Sequence, residues 1–186
     1  MNVFKMIDFI GTKNPDYTYE KVEDKLPTKP VKGKGYYGDN GKQGEWERYN
    51  DDGQLFSKGL YKNDKKEGIW ESYHSNGKLR YRGSYLNGKQ DGYWEYYYKN
   101  RKLAIKGSYL NGKQDGYWEE YYDNGQLNYK GTYKDNEKDG LWEKYWDSSG
   151  KLMVKGNYIN GIEDGLWEDY WKNGNLEKKI LYNNFR

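Results

Sequence analysis

The chain contains no cysteine, which excludes disulfides, thiolate catalysis and cysteine-bound metal and leaves the redox compartment open. It has one histidine, His74, with no second histidine and no dense carboxylate cluster beside it, so nucleophile-histidine-acid triads and the usual zinc ligand sets lack their parts. Its three prolines, Pro15, Pro27 and Pro30, all lie near the start. Leu, Ile and Val are scarce, because Tyr (23) and Trp (8) supply much of an apolar fraction of only 34%, and a thick aliphatic core is therefore not expected. No run approaches the roughly 20 apolar residues that a bilayer crossing needs. Residues 1–11 are mildly apolar but are broken by Lys5 and Asp8, so the h-region of a signal peptide is missing. A soluble, cytoplasmic protein is the expectation. An excess of one charge is lacking too: 32 basic residues face 29 acidic ones, for a net +3, which gives no strong pull toward nucleic acid or anionic lipid.

What is present is aromatic and periodic. At 19% aromatic the chain is far from the composition of disorder. Trp recurs at 46, 70, 94, 118 and 142, a period of 24, and again at 167 after a turn lengthened by one residue at Asp147, Ser148, Ser149 and Gly150. Gly stands two residues before each Trp, from Gly44 to Gly165, Glu one after, from Glu47 to Glu168, and Tyr three after, from Tyr49 to Tyr170. An Asn-Gly or Asp-Gly turn signal usually follows. Leu55, Leu79, Leu103, Leu127, Leu152 and Leu176 then open a second segment ending in Lys or Arg, Gly, any residue and Tyr. The sixth copy keeps Lys179 and Tyr182 but has Ile180 in the Gly slot, as a terminal cap can.

Two aromatic-rich segments of five to seven residues, separated by turn residues, make each unit a β-hairpin, and neither aromatic column recurs at helical spacing. The expected fold is all-β: an elongated open antiparallel meander of six 24-residue β-hairpin repeats over 33–182, with 1–32 an N-terminal leader or cap and 183–186 a C-terminal tail. Val31, Gly35 and Tyr37 fit the Leu, Gly and Tyr slots of a degenerate leading copy. A two-residue turn at Asn76 and Gly77 sets Trp70 opposite Gly83, Gly68 opposite Tyr85, Glu71 opposite Arg82, and Glu119 opposite Lys130. The ring is expected to cover the cross-strand glycine. Alternation then puts Trp, the residue four later, Leu, Gly and the second Tyr on an aromatic face, with Glu, the first Tyr and Lys on a charged one. A single layer of twelve or so strands leaves that aromatic face to fold over, dimerise or meet a partner.

The unit Gly116-Tyr117-Trp118-Glu119-Glu120-Tyr121-Tyr122-Asp123-Asn124-Gly125-Gln126-Leu127, with its five copies and the closing Lys-Gly-x-Tyr, resembles the bacterial MORN-repeat variant over roughly 33–182. The resemblance implies an open sheet of successive hairpins and, for many bacterial members, a toxin-antitoxin system antitoxin whose partner is a toxin encoded nearby. Departures are Asn100-Arg101 in place of Asn-Gly, the longer turn at Ser148 and Ser149, and the unmatched leader.

Function is expected to be protein binding without catalysis or cofactor. Six equivalent glutamates cannot all be the dissimilar carboxylate pair that acid-base catalysis needs, and the basic column Lys58, Arg82, Lys106, Lys130, Lys155 and Lys179 faces them. That pairing neutralises the stripe and argues against nucleic acid and membrane alike. The alternative is a cell-wall or carbohydrate/choline-binding surface repeat, suggested by stacked Trp and Tyr with Asp147-Ser148-Ser149-Gly150-Lys151-Leu152-Met153, although such repeats are nearer 20 residues. Self-association remains open. The expected contact residues form the column four after each Trp, which climbs from Asn50 through His74, Tyr98 and Tyr122 to Trp146 and Trp171, because Tyr and Trp dominate interface hot spots.

Overall fold

The chain divides into Met1–Pro30 and Val31–Arg186. The computed structural model describes residues 33–183, all within the second unit. They form one open antiparallel sheet and contain no helix. The strands are β1 (Gly33–Gly38), β2 (Gly41–Tyr49), β3 (Leu55–Lys62), β4 (Lys65–Tyr73), β5 (Leu79–Leu86), β6 (Lys89–Tyr97) and β7 (Leu103–Leu110). They continue as β8 (Lys113–Gln114), β9 (Gly116–Tyr121), β10 (Leu127–Lys134), β11 (Glu137–Tyr145), β12 (Leu152–Ile159), β13 (Ile162–Tyr170) and β14 (Leu176–Tyr182). β8 and β9 are the two parts of what is one strand in the other units, and neighbours in sequence are neighbours in the sheet. The leading half-copy is real in its second half: β1 pairs with β2, and Tyr37 packs edge-on to Trp46 at 5.2 Å. Val31 and the leader lie outside the described residues.

The register is the one expected, with Trp70 opposite Gly83, Gly68 opposite Tyr85, Glu71 opposite Arg82 and Glu119 opposite Lys130. The turn that produces it is not. Gly77 N donates to the His74 carbonyl (2.9 Å) and His74 N to the Lys78 carbonyl (2.8 Å), which makes Ser75, Asn76 and Gly77 a three-residue loop with Gly77 left-handed at φ 75°. A one-residue bulge at Arg80 follows, pairing Tyr73 with Leu79 and Ser72 with Tyr81. The extra loop residue and the bulge compensate, so the outer register equals that of a two-residue turn. Leu changes sides as a result. Leu55, Leu79, Leu103, Leu127, Leu152 and Leu176 pair with the first Tyr of their units and share the carboxylate face, not the Trp face. Between units the turns are two-residue type I′, with both central residues left-handed: Asn63-Asp64, Asn87-Gly88, Asn111-Gly112, Asp135-Asn136 and Asn160-Gly161.

The aromatic face does not await a partner. Trp70, Trp94 and Trp118 are each 1% exposed within this one layer. Each repeat Trp lies over the glycine of the preceding strand, not that of its own hairpin, where it faces a second glycine in all units but the last, which has Ile180: a Cβ on Gly59, Gly83, Gly107, Gly131 or Gly156 would come within 3.0 Å of the next unit's indole. The backbone ladder shifts at this point, and there the indole N–H donates to the carbonyl of Leu60, Ser84, Ser108, Thr132 or Asn157. Tyr rings close the sides. From Trp46 to Tyr182 the two residue types alternate edge-to-face, at 4.9 Å for Tyr61–Trp70, 5.0 Å for Tyr109–Trp118 and 6.0 Å for Trp118–Tyr133. Long side chains lie across the rings: Lys66 Nζ is 4.5 Å from Trp70 and 4.9 Å from Tyr85, and Lys138 repeats this over Trp142 and Tyr158. A single sheet thus buries a ladder of rings on one face.

Candidate interaction surface

On the opposite face the column Glu is held by a Tyr hydroxyl and, at Glu71, Glu119, Glu143 and Glu168, also by an ammonium. Tyr73 donates to Glu71 (2.6 Å), Tyr97 to Glu95 (2.9 Å), Tyr121 to Glu119 (2.5 Å), Tyr145 to Glu143 (3.0 Å) and Tyr170 to Glu168 (2.7 Å). The ion pairs run to the following unit: Lys58–Glu71 at 3.0 Å, Lys106–Glu119, Lys130–Glu143 at 2.8 Å and Lys155–Glu168 at 2.9 Å. Glu119 therefore sits opposite Lys130 but bonds Lys106 of the preceding hairpin. Burial raises the pKa of Glu71, Glu119 and Glu143, and the Tyr and Lys bonds together outweigh it, leaving all three below the usual carboxylate range. Glu168, held by Lys179, Tyr170 and Lys155, falls to about 2.

Because these folded-state pKa values are depressed, the carboxylates contribute stability that is fully present above their unfolded pKa near 4.5 and lost as pH falls through the lower folded values. Glu119→Gln is expected to cost about 0.5–1 kcal/mol at pH 7, in line with a pair that still reaches solvent. The gap between the thermal melts of the two proteins should narrow as pH falls below 4.5; a gap that did not narrow in acid would rule out the charge of Glu119 as its source.

The column expected to make contacts runs along the within-unit loops, where it ties each repeat to the next. His74 Nε2 donates to the Tyr97 carbonyl (2.7 Å), Tyr98 Oη to that of Tyr121 (2.6 Å), Tyr122 Oη to that of Tyr145 (2.9 Å) and Trp146 Nε1 to that of Tyr170 (3.1 Å). Burial, then the nearby Arg80 and Lys99, hold the His74 pKa below its ordinary value against the Tyr97 bond, so the ring is neutral at pH 7. Asn76, Asn100 and Asn124 repeat the tie with their Nδ2 groups, onto the carbonyls of Lys99, Asp123 and Asp147. Trp171 begins the last loop and is half exposed.

Sequence reasoning passed over a second column, the residue between Gly and Trp. Ile69, Tyr93, Tyr117, Leu141 and Leu166 stand on the Glu face, each 47–53% exposed. Tyr93 and Tyr117 feel the ladder charges of Glu95, Glu119, Lys106 and Lys130, which places their rings beside it. The signal was available as a large apolar residue at one slot in five of six units, but its identity varies where the flanking columns are constant. Successive members are two strands apart, about 10 Å, so the stripe runs about 40 Å.

A continuous sheet of in-register hairpins, with its buried ladder on one face and an exposed apolar stripe on the other, defines a tandem β-hairpin repeat protein. Residues 42–63, 66–87, 114–135, 138–160 and 163–184 match the MORN repeat variant, and the chain belongs to that family. The intervening unit has the same strands and register, and it is the one in which Arg101 replaces the loop glycine. No curated protein matches the sequence by direct comparison. Among solved structures the chain is similar to part of TarM (13% identity, TM-score 0.35, 58% of this chain and 22% of that one) and of a GtfA/B complex bound to UDP and GlcNAc (12% identity, TM-score 0.29, 67% and 24%). The chain spans less than a quarter of each, and likenesses this weak carry no argument about its function.

Proposed function

We propose that the chain is a non-catalytic repeat scaffold that binds another protein through the stripe of Ile69, Tyr93, Tyr117, Leu141 and Leu166. The observation that carries this reading is that five large apolar side chains stay half exposed, in register, on a sheet whose other face buries its Trp rings. Such a row, rimmed by paired charges, has the composition of an interface centre with a polar rim. The Glu-Tyr-Lys groups beside it recur in equivalent surroundings from unit to unit, the pattern of a ladder and not of a single reactive centre. The narrower role implied by the family resemblance, an antitoxin covering a toxin encoded nearby, is the same reading with a named partner. Of the loop-edge column, Trp171 has the ring most open to such a partner.

The test is coexpression with the product of the adjacent gene, followed by affinity measurements on the purified pair. Tyr117→Ser combined with Leu141→Ser is expected to weaken binding at least tenfold while moving Tm by less than about 3 °C, because the side chains removed are half solvated. Trp171→Ala should weaken it less. Unchanged affinity in the double variant would remove the stripe as the contact surface.

A further inference from the structure

A separate feature lies on the within-unit loops. The residue that closes each loop is left-handed, and it is Gly53, Gly77, Gly125, Gly150 or Gly174 in five units but Arg101, at φ 73°, in the third. Every other left-handed residue among the described residues is Gly, Asn or Asp. A long side chain with a Cβ is disfavoured in this conformation, and the glycine of the other five loops shows that the fold does not need it. Its side chain therefore serves something other than the loop.

Arg101 is surrounded by cations. Lys99 and Lys102 flank it in the same loop, and Lys78 and Arg80 follow the preceding one. The two loops are locked together by Asn76 Nδ2 on the Lys99 carbonyl (3.0 Å) and His74 Nε2 on the Tyr97 carbonyl (2.7 Å). None of the five cations forms an ion pair among the described residues, although Lys102 Nζ donates to the Asn124 carbonyl of the next loop (2.5 Å), whereas Lys58, Lys106, Lys130, Lys155 and Lys179 of the ladder all do. Arg80 and Lys99, one from each loop, both reach His74, whose pKa is lowered first by burial and then by these two charges. Acidic loops bound the patch, Asp51 and Asp52 on one side and Asp123 on the other.

We propose that Arg101, with Lys78, Arg80, Lys99 and Lys102, forms a binding site for an extended acidic peptide segment. The two loops lie two strands apart, about 10 Å, between the roughly 7 Å and roughly 13 Å that separate same-face carboxylates two and four residues apart on an extended chain, a difference that long Lys and Arg side chains span. Arg101 offers a planar fork that a carboxylate accepts in bidentate fashion, and the lysines add point charges on either side. A nucleic-acid strand fits less well. The aspartates of the flanking loops, Asp51, Asp52 and Asp123, repel a longer phosphate chain.

The experiment uses the full chain and a fluorescein-labelled hexaglutamate peptide, read by fluorescence anisotropy at low and at physiological salt. Arg101→Gly restores the residue of the other loops, so it folds. It is expected to raise Tm by about 3 °C while weakening hexaglutamate binding roughly tenfold. Lys99→Ala with Lys102→Ala should weaken binding without the gain in Tm, and hexalysine should not bind. Equal affinity of wild type and Arg101→Gly overturns the proposal. So does tighter binding of an oligothymidylate of the same charge that is lost in the same variants, which would assign the patch to nucleic acid.

Discussion

Trp118→Ala is expected to destabilise the protein by about 3–5 kcal/mol, the range for deleting a buried ring from a close-packed site. The indole is 1% exposed, lies over Gly107, meets Tyr109 at 5.0 Å and Tyr133 at 6.0 Å, and donates to the Ser108 carbonyl (3.1 Å). Nothing nearby can collapse into the space, because the strands are fixed on both sides by their ladders. The site is also central, and in a one-dimensional array a weak interface uncouples what lies on either side. Urea unfolding followed by circular dichroism should therefore change from one transition to two, with the first midpoint well below wild type. Trp46→Ala, nearer the end of the described array and 9% exposed, should cost less and leave the transition single. A single, barely shifted transition for Trp118→Ala would show that the aromatic ladder does not carry the stability assigned to it.

Gly107→Ala should cost about 2–3 kcal/mol by overpacking, a Tm loss on the order of 10 °C, since its Cβ would enter the Trp118 ring and neither backbone can retreat without breaking ladder bonds. The cause can be isolated by a double-mutant cycle. In a Trp118→Ala background the added methyl meets no ring, so Gly107→Ala should then be close to neutral. Equal losses in both backgrounds would point to strand conformation and not to contact with the indole. Ile180→Gly is the natural control, because among the described residues no later Trp covers that slot.

The strands and their register were legible because constant columns recur every 24 residues and a chemical check was at hand: Glu119 opposite Lys130 and Trp70 opposite Gly83 both make sense. Loop geometry was not legible, and one dipeptide shows why. Asn87-Gly88 makes a two-residue turn with both residues left-handed, while Asn76-Gly77 sits in a three-residue loop with only Gly77 left-handed. The difference lies in partners that a single hairpin does not contain. Asn76 spends its side chain on Lys78 N (3.1 Å) and on the Lys99 carbonyl of the next unit (3.0 Å). The bulge after that loop, which carries Leu to the other face, followed the same blind spot. Burial of the Trp face was missed for a related reason, since the slot whose Lys42, Lys66 and Lys138 lie over the rings holds Gln90 and Gln114 in the intervening units, a column of mixed chemistry. The stripe on the Glu face went unseen because from Ile69 to Leu166 the slot keeps size and hydrophobicity from unit to unit while its identity varies.

The Trp that covers each glycine comes from the following unit, so a repeat is completed only by its successor. On the ribosome Gly107 would wait eleven residues for Trp118, and folding would trail synthesis by about half a repeat. The same arrangement makes gain or loss of whole repeats harmless to the lock, because any insertion of one full period delivers a new indole to an existing glycine. Array length can then drift by slippage in the gene, lengthening or shortening the exposed stripe without redesigning the core. Ile180 interrupts that freedom: its side chain fills the place an incoming ring would need, and one codon there sets whether another unit can dock in the same register.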